Sequence, residues 1–253
     1  MRDLLRVRGA AGRPLIGGHR GAAAAAAENT LASFRRAIAD GAELVELDVH
    51  QTRDSDLAVI HDATTGRTTG VPGVVATTTM AALRALPSSG QTAPGNRNEV
   101  SIPSLDDVLA LLAPARAGTL AVNVEIKGGT ESAALVAAAL DRHGMSGRAV
   151  VSSFDPAVVK AFAALRPDIL AGLLLDKPSD DYAGDARAVG ARALHLHWPL
   201  IDDAVIAAAR GHGLGLIAWT VNEQGTMRAL ARRGVGAVLS DDPSLLRATL
   251  DAP

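Results

Sequence analysis

The chain has 253 residues, no cysteine and a formal net charge of −2, with 48% apolar, 21% charged and 2% aromatic residues. This length suits one large α/β barrel or two small domains, while the lack of cysteine excludes disulfides, zinc–thiolate sites and thiol nucleophiles. The small net charge gives no electrostatic reason to expect nucleic acid as the main partner, and so few aromatic residues disfavour a platform for stacking bases.

The first 21 residues carry charged side chains, among them Arg2, Arg6 and Arg8, and no long apolar run. A signal peptide needs such a run, and the longest apolar stretches, such as 133–140, are far too short to span a membrane. We therefore expect a cytoplasmic protein without stable membrane insertion.

Short apolar segments alternate along the chain with longer segments rich in alanine and leucine. Nine segments are predicted as strands: 15–18, 44–49, 57–61, 121–127, 149–153, 170–175, 193–197, 214–219 and 237–240. Helices are predicted between most of them, including 30–40, 132–143, 156–165, 201–212 and 223–233. Such alternation favours βα units around a parallel sheet, so we predict an α/β fold in which residues 1–253 form a single (β/α)₈ TIM barrel domain.

The third predicted strand, 57–61, is one too many for an eight-stranded barrel. The gap that separates it from 44–49 is too short for the crossover that a parallel neighbour needs. We expect it to run antiparallel to the end of the second strand, outside the barrel. Residues 62–103 are rich in Thr, Gly, Pro and Ser, with one helical piece near 78–86. The region from about 50 to 104 is therefore predicted to be a small, lid-like insertion after the second strand.

Acidic residues occur inside two of the apolar strand segments. Glu46 and Asp48 are two residues apart and share a face of one strand, as Glu125 and Lys127 do in another. On barrel strands such residues point inward near the carboxyl ends, where barrel enzymes have their active sites. Clustered carboxylates need a compensating charge, and an all-oxygen set favours one Mg²⁺ or Ca²⁺ ion over Zn²⁺. An interior salt-bridge network with Lys127 is the alternative, which is disfavoured because two strands would each place charge in buried positions.

His19 and Arg20 follow the first strand, and Gly21 allows a sharp turn after them. A histidine at the mouth of the barrel can move protons near neutral pH, and an arginine can offer paired donors to a phosphate. His61, at the end of the antiparallel strand, would bring a second imidazole to the same mouth, and Lys127 suits an anionic substrate oxygen. Two histidines beside a metal ion would provide a general acid and a general base for phosphoryl transfer.

Short motifs that contain these residues follow one another along nearly the whole chain. They are Gly-His-Arg-Gly at 18–21, Glu-Asn-Thr at 28–30, Glu-Leu-Asp-Val at 46–49, His-Asp at 61–62, Arg-Thr-Thr-Gly at 67–70, Glu-Ile-Lys at 125–127, Ser-Ser-Phe at 152–154, Trp-Thr-Val-Asn at 219–222 and Ser-Asp-Asp-Pro at 240–243. The ordered set resembles the glycerophosphodiester phosphodiesterase family. No single tetrapeptide is specific, but the order of the whole set is.

The resemblance implies metal-dependent hydrolysis of a small-molecule glycerophosphodiester to glycerol 3-phosphate and an alcohol. In that reaction the neighbouring glycerol hydroxyl attacks phosphorus, and water then opens the cyclic phosphate. The implied ligands of the single divalent cation are Glu46, Asp48 and Glu125. The implied catalytic acid–base pair is His19 and His61, in either order, and the implied phosphate ligands are Arg20 and Lys127.

Two further groups of residues are candidates for lining the cavity. Trp219 ends a barrel strand, where its ring would form a wall for the glycerol part of the substrate or else belong to the core. His195 and His197 share a face of another strand, and we expect them to line the pocket rather than bind the metal ion.

Four polar residues are expected to support the site or to cap helices. Glu28 could orient Arg20 or His19, while Asn29 and Thr30 are predicted to cap the first helix. Asn222 is predicted to cap the helix that follows it.

The chain departs from the family pattern near the first loop. Ala27 stands where members usually have proline, and Leu47 where an aromatic residue is common. The loop 22–27 has only methyl side chains, which cannot hydrogen-bond a polar headgroup. Two alternatives therefore stay open: a related barrel phosphodiesterase that acts on lysophospholipids or releases a cyclic phosphate, and a phosphate-ligand binding protein without turnover. The residues favour no particular oligomeric state.

Overall fold

The computed structural model describes residues 12–87, 99–115 and 119–252. The strands in these ranges are β1 (Leu15–Gly18), β2 (Leu44–Gln51), β3 (Leu57–Val59), β4 (Ala121–Ile126), β5 (Ala149–Ser153), β6 (Leu170–Leu175), β7 (Ala193–His197), β8 (Gly215–Trp219) and β9 (Ala237–Ser240). All of them except β3 are parallel strands of one closed barrel.

The barrel closes because β1 pairs in parallel with both β2 and β9. Each remaining barrel strand pairs in parallel with its neighbours, and helices lie between the strands along the chain, so the predicted TIM barrel is confirmed. Gly17 lies at the closing seam, opposite Leu44 on β2 and Leu239 on β9. A Cβ atom at this position would lie 2.8 Å from the carbonyl oxygen of Val238, so glycine is required for the strands to approach this closely.

Alternate residues of each strand face the barrel interior and the surrounding helices. The floor of the interior is a buried apolar cluster formed by Leu44, Ala121, Val150, Leu170, Ala193, Ile217, Ala237 and Leu239. Val45 and Leu47 instead belong to the larger cluster between the barrel and its helices. Because side chains alternate with a period of two, Glu46 and Asp48 share the inward face with Leu44.

The helices lie outside the barrel, and the six whose bounds were predicted begin and end within two residues of those bounds. They are α1 (Leu31–Ala39), α2 (Gly66–Thr69), α3 (Met80–Arg84), α4 (Leu105–Leu112), α5 (Ser132–Arg142), α6 (Pro156–Leu165), α7 (Tyr182–Ala188), α8 (Asp203–Gly211), α9 (Gln224–Arg233) and α10 (Pro243–Asp251). Capping side chains fix the residues at which several helices begin. Thr30 accepts a hydrogen bond from the Ser33 N–H before α1, and Ser104 forms a capping box with Asp107 at α4.

The segment after β2 carries a small core of its own. As predicted, β3 runs antiparallel to the end of β2, with Val49 opposite Val59. Beyond it lies a separate apolar cluster formed by Ala58, Ile60, Val75, Met80, Leu83 and Ile102. The limits of the insertion stay a prediction, since residues 88–98 lie outside the described ranges, as do residues 1–11 in the amino-terminal segment.

Candidate active site

Three buried carboxylates meet at the carboxyl ends of β2 and β4. Glu46, Asp48 and Glu125 are 3%, 1% and 6% exposed, and one carboxylate oxygen of each lies within 4.8 Å of the others. Asp48 and Glu125 are register partners in the parallel β2–β4 pairing. The period of β2 and its register with β4 therefore build a cluster that can hold one cation.

Two side-chain cations and one amide border this cluster. Lys127 Nζ lies 2.5 Å from Glu125 Oε1 and 3.2 Å from Asp48 Oδ1, while Arg20 Nε lies 3.3 Å from Asp48 Oδ2. Asn29 Nδ2 donates to Asp48 Oδ2 at 2.8 Å. The alternative of a salt-bridge network with Lys127 thus describes part of the geometry. Two cations do not neutralise three carboxylates, however, and the remaining negative charge is what a metal ion would compensate.

Burial and mutual repulsion act on the pKa values of these carboxyl groups. Burial, together with the charges of Asp48 and Glu125, raises the pKa of Glu46 well above its ordinary value. Burial and the Asp48 charge raise the pKa of Glu125 to about 7. Burial also acts to raise the pKa of Asp48, but Lys127 and Arg20 hold it below its ordinary value. Ionising all three acids near neutral pH therefore calls for a further positive charge.

In the presence of a chelator, we expect the free energy of unfolding to fall as the pH rises from about 4.5 to about 7. The unfolded chain loses the Glu125 proton near pH 4.5, whereas the folded protein keeps it until about pH 7. The folded state therefore binds more protons across this window, so raising the pH favours unfolding, by up to about 3 kcal/mol in total. Urea unfolding at pH values spanning the window measures the change.

The control for this experiment is Glu125→Gln, which has nearly the same shape and no titration in the window. The free energy of unfolding of the variant should fall less steeply with rising pH than that of the parent protein. An equal fall in both proteins would mean that Glu125 is not the group whose pKa is raised.

His19 directly follows β1 and is held by a carboxylate that directly follows β9. Its Nδ1 atom lies 2.7 Å from Asp241 Oδ1, and Asn222 Nδ2 donates to Asp241 Oδ2 at 2.7 Å. Burial acts to raise the pKa of Asp241, but the hydrogen bonds from His19 and Asn222 bring it below its ordinary value. With Nδ1 bound to this carboxylate, the His19 Nε2 atom, 3.5 Å from Thr220 Oγ1, is the ring nitrogen left for proton exchange.

The prediction that Asn222 caps the following helix is wrong. Glu223 is the residue that precedes α9, and its side chain makes no capping hydrogen bond. The Asn222 side chain instead accepts from Ser240 Oγ and from the Asp241 N–H, both at 3.0 Å. Asn222 therefore fixes the carboxylate that holds His19.

His61 also has a carboxylate partner, and a chain of ion pairs connects it to Arg20. His61 Nδ1 lies 2.7 Å from Asp62 Oδ1, and Arg67 donates to both oxygens of Asp62 and to both oxygens of Glu28. Arg20 Nη1 donates to Glu28 at 3.0 Å, as expected for a residue that orients Arg20. Burial lowers the pKa of His61, although the hydrogen bond to Asp62 acts to raise it.

The loop between β1 and α1 is tied to the carboxylate cluster through its backbone. Arg20 adopts the left-handed conformation, with φ at 51°, and its N–H donates to Glu46 Oε2 at 2.8 Å. The Arg20 carbonyl accepts from the Asn29 N–H. Thr30 caps α1 as predicted, but Asn29 does not, because its side chain reaches Asp48.

A cavity of about 170 Å³ lies in front of the carboxylates. Seven of the eight predicted site residues border it, namely His19, Arg20, Glu46, His61, Glu125, Lys127 and Trp219; the eighth, Asp48, lies in the carboxylate cluster. The sequence analysis assigned no role to Asp241, although it lies in the Ser-Asp-Asp-Pro motif directly after β9. Its partnership with His19 depends on the closing of the barrel, which brings the ends of β1 and β9 together.

The rings of Trp219, Phe154 and His195 also line this cavity, whereas His197, predicted to line it, instead lies beside Trp219. Trp219 contacts Phe154 edge-on, with ring centroids 5.6 Å apart, and lies 5.5 Å from His197. The Trp219 Nε1 atom is buried and has no hydrogen-bond partner among the described residues. His195 is fully buried and lines the cavity, and burial lowers its pKa to about 3, so it is neutral.

The glycerophosphoryl diester phosphodiesterase family model matches residues 19–245, a range that includes every predicted site residue. The chain belongs to the glycerophosphoryl diester phosphodiesterase family. The family and the enzyme class predicted from the ordered motifs are therefore confirmed.

Relatives of similar length support this membership in the family. The glycerophosphodiester phosphodiesterase of Caldanaerobacter subterraneus subsp. tengcongensis is 30% identical over 241 residues, which cover 92% of this chain and 96% of the relative. The probable glycerophosphodiester phosphodiesterase 1 of Mycobacterium tuberculosis is also 30% identical, with 95% of this chain and 94% of the relative covered.

Solved structures of the family share the fold over almost the whole chain. A glycerophosphoryl diester phosphodiesterase from Silicibacter pomeroyi, described as putative, aligns with a TM-score of 0.87 at 26% identity and covers 98% of this chain and 97% of its own. A phosphodiesterase from Oleispira antarctica was solved with the product sn-glycerol-3-phosphate. It aligns with a TM-score of 0.86 at 26% identity and covers 95% of this chain and 98% of its own.

The helices in the described ranges are too short or too polar to cross a membrane. The predicted cytoplasmic location stays a prediction.

Proposed function

We propose that this member of the family hydrolyses glycerophosphodiesters to sn-glycerol 3-phosphate and an alcohol, using one divalent cation and two histidines. The observation that carries the proposal is that two imidazoles, two side-chain cations and a cluster of buried carboxylates meet at one cavity. The Caldanaerobacter relative is named for this activity, and the Oleispira structure contains sn-glycerol-3-phosphate.

The donor set fits Mg²⁺ or Ca²⁺ at Glu46, Asp48 and Glu125, because all three ligands are carboxylate oxygens. The three carboxylates, the charges of Arg20 and Lys127, a divalent ion and a singly charged phosphodiester are together neutral. This balance accounts for the ionisation of buried acids whose pKa values are otherwise raised. A bound divalent cation supplies a Lewis acid that polarises the phosphoryl oxygens and neutralises their charge.

Arg20 and Lys127 are positioned to bind the phosphoryl group. Arg20 borders the cavity, with its Nε atom 3.3 Å from Asp48 and its Nη1 atom bound to Glu28, so its guanidinium is held at the edge of the carboxylate cluster. Lys127 Nζ borders the same cavity beside the carboxylates. Trp219 and Phe154 form an apolar wall, against which the carbon chain of the glycerol part would pack.

The two histidines provide the proton transfers. One imidazole removes the proton from the neighbouring glycerol hydroxyl as its oxygen forms a bond to phosphorus, and the other gives a proton to the alcohol oxygen as its bond to phosphorus breaks. Water then opens the cyclic phosphate with the two roles reversed. Asp241 and Asp62 bind Nδ1 of His19 and His61, so each carboxylate fixes the orientation of its imidazole and leaves Nε2 as the ring nitrogen for proton transfer.

An activity assay on purified protein tests the proposal. We expect glycerophosphocholine, glycerophosphoethanolamine or glycerophosphoglycerol to give sn-glycerol 3-phosphate when Mg²⁺ or Ca²⁺ is added, and no product with a chelator. Phosphorus NMR identifies the product. A persistent cyclic phosphate would contradict complete hydrolysis, and binding without turnover would favour a binding protein.

A further inference from the structure

A second cavity, of about 310 Å³, meets the catalytic cavity at His61, which is the lining residue common to both. We name it the alanine groove, because residues 23–27 line it together with Val59, Ile60 and Ile102. We propose that the alanine groove receives the alcohol part of the substrate and prefers an uncharged, apolar alcohol. This inference rests on the proposed function and adds the chemical class of the leaving group.

The alanine side of the groove offers methyl side chains, and three of its backbone donors are used within the protein. The N–H of Ala24 donates to the Asp241 carbonyl at 3.0 Å, and those of Ala25 and Ala26 donate to the Ala22 carbonyl at 2.9 and 3.0 Å. These backbone donors are therefore already bound within the protein. An alcohol with several hydroxyl groups would lose hydrogen bonds to water here without replacing them.

Three further polar side chains around the groove are also bound to the protein, whereas Thr68 has a contact of 3.5 Å with the Thr65 carbonyl. Thr30 Oγ1 donates to the Ala27 carbonyl at 2.6 Å, and Thr69 Oγ1 donates to the Thr65 carbonyl at 2.8 Å. Asn29 is bound to Asp48. Apart from Thr68, the uncharged lining of the groove formed by the described residues is therefore suited to a carbon chain.

The charged residues around the groove pair with each other. Arg67 Nη1 and Nη2 donate to the two oxygens of Glu28 at 2.9 and 2.7 Å, and Arg67 Nε donates to Asp62 at 2.7 Å. The guanidinium of Arg67 and the carboxylates of Glu28 and Asp62 would therefore all meet a ligand as members of ion pairs. A quaternary ammonium group would leave water without gaining a counter-charge, so it should bind more weakly than an uncharged group of the same shape.

The position of His61 explains why the alcohol would occupy this groove. When the bond from phosphorus to the alcohol oxygen breaks, the oxygen keeps the bonding electron pair and takes a proton. His61 borders both cavities and can donate that proton, which leaves its imidazole neutral. An alcohol whose oxygen lies at His61 then extends into the alanine groove, while the glycerol phosphate stays beside the carboxylates.

A matched pair of substrates tests the preference. Glycerophosphocholine and glycerophospho-3,3-dimethylbutanol differ only in having N⁺ or carbon at the centre of the trimethyl group. We expect kcat/KM to be at least about tenfold higher for the uncharged ester, a difference that corresponds to about 1.4 kcal/mol. Equal values, or a preference for choline, would overturn the inference.

A single charge introduced into the groove should weaken or cancel this preference. Ala25 is exposed, so Ala25→Asp places a carboxylate on the alanine side without disturbing the core. The variant should shift the ratio of the two kcat/KM values toward choline by about tenfold. The control, Ala207→Asp, makes the same change at an exposed alanine of α8 and should leave the ratio unchanged.

The outcomes separate the inference from the proposed function. If both esters are hydrolysed and Ala25→Asp leaves the ratio unchanged, the alcohol lies elsewhere and the inference is wrong. If neither these esters nor glycerophosphoglycerol is hydrolysed with added Mg²⁺ or Ca²⁺, the proposed function itself fails.

Discussion

Glu125→Gln should reduce the metal-dependent kcat/KM by at least about 1,000-fold, and Glu46→Gln should do the same. Each change removes one negative ligand of a cluster whose oxygens lie within 4.8 Å of one another, while the side chain keeps its size. The fold should be retained, because the amide does not add a charge to the buried cluster. Turnover of a glycerophosphodiester at several concentrations of Mg²⁺ or Ca²⁺ measures the loss.

Metal-dependent stabilisation provides a second measurement that does not require activity. The parent protein should unfold at a higher temperature when Mg²⁺ or Ca²⁺ is added, and this shift should nearly disappear in both variants. Glu131→Gln is the matched control, since Glu131 is exposed and lies before α5. Full turnover of either ligand variant in a chelator, or an undiminished shift, would contradict the metal assignment.

The strand residues of this site could be predicted because they follow from local periodicity. Glu46 and Asp48 are two residues apart within an apolar run, which places them on one face, and the same holds for Glu125 and Lys127. The parallel alignment of neighbouring barrel strands then brings Asp48 beside Glu125. Both steps depend on general geometry, so a single sequence is sufficient for them.

The loop residues could not be predicted in the same way, because their partners are chosen by tertiary structure. Asn29 and Asn222 both precede helices, and local preference favours capping for such residues. Each side chain instead binds a carboxylate on another segment, Asp48 in one case and Asp241 in the other. Asp48 is buried and has lost its water, so it gains more from an amide donor than an exposed helix end does, while Asp241 is partly buried and charged, which strengthens its hydrogen bond to Asn222.

His19→Ala and His61→Ala should each reduce kcat by about 100-fold to 10,000-fold. Both imidazoles border the cavity beside the carboxylates, and a methyl group cannot carry a proton. His212→Ala is the matched control, because His212 is exposed and outside the cavity. Steady-state kinetics with saturating divalent cation separates loss of chemistry from loss of metal binding.

The pH dependence of these variants distinguishes a proton carrier from a residue that only shapes the cavity. Burial lowers the pKa of His61 from 6.5, so one limb of the kcat/KM profile of the parent protein should have its midpoint below about pH 6.5. His61→Ala should remove that limb, whereas loss of a residue that only fills space would lower the whole profile without changing its shape. Asp62→Asn should move the same limb further toward acid, because it removes the carboxylate that favours the protonated imidazole. A profile of unchanged shape in both variants would exclude His61 from the proton transfers and leave His19 to act with a different group.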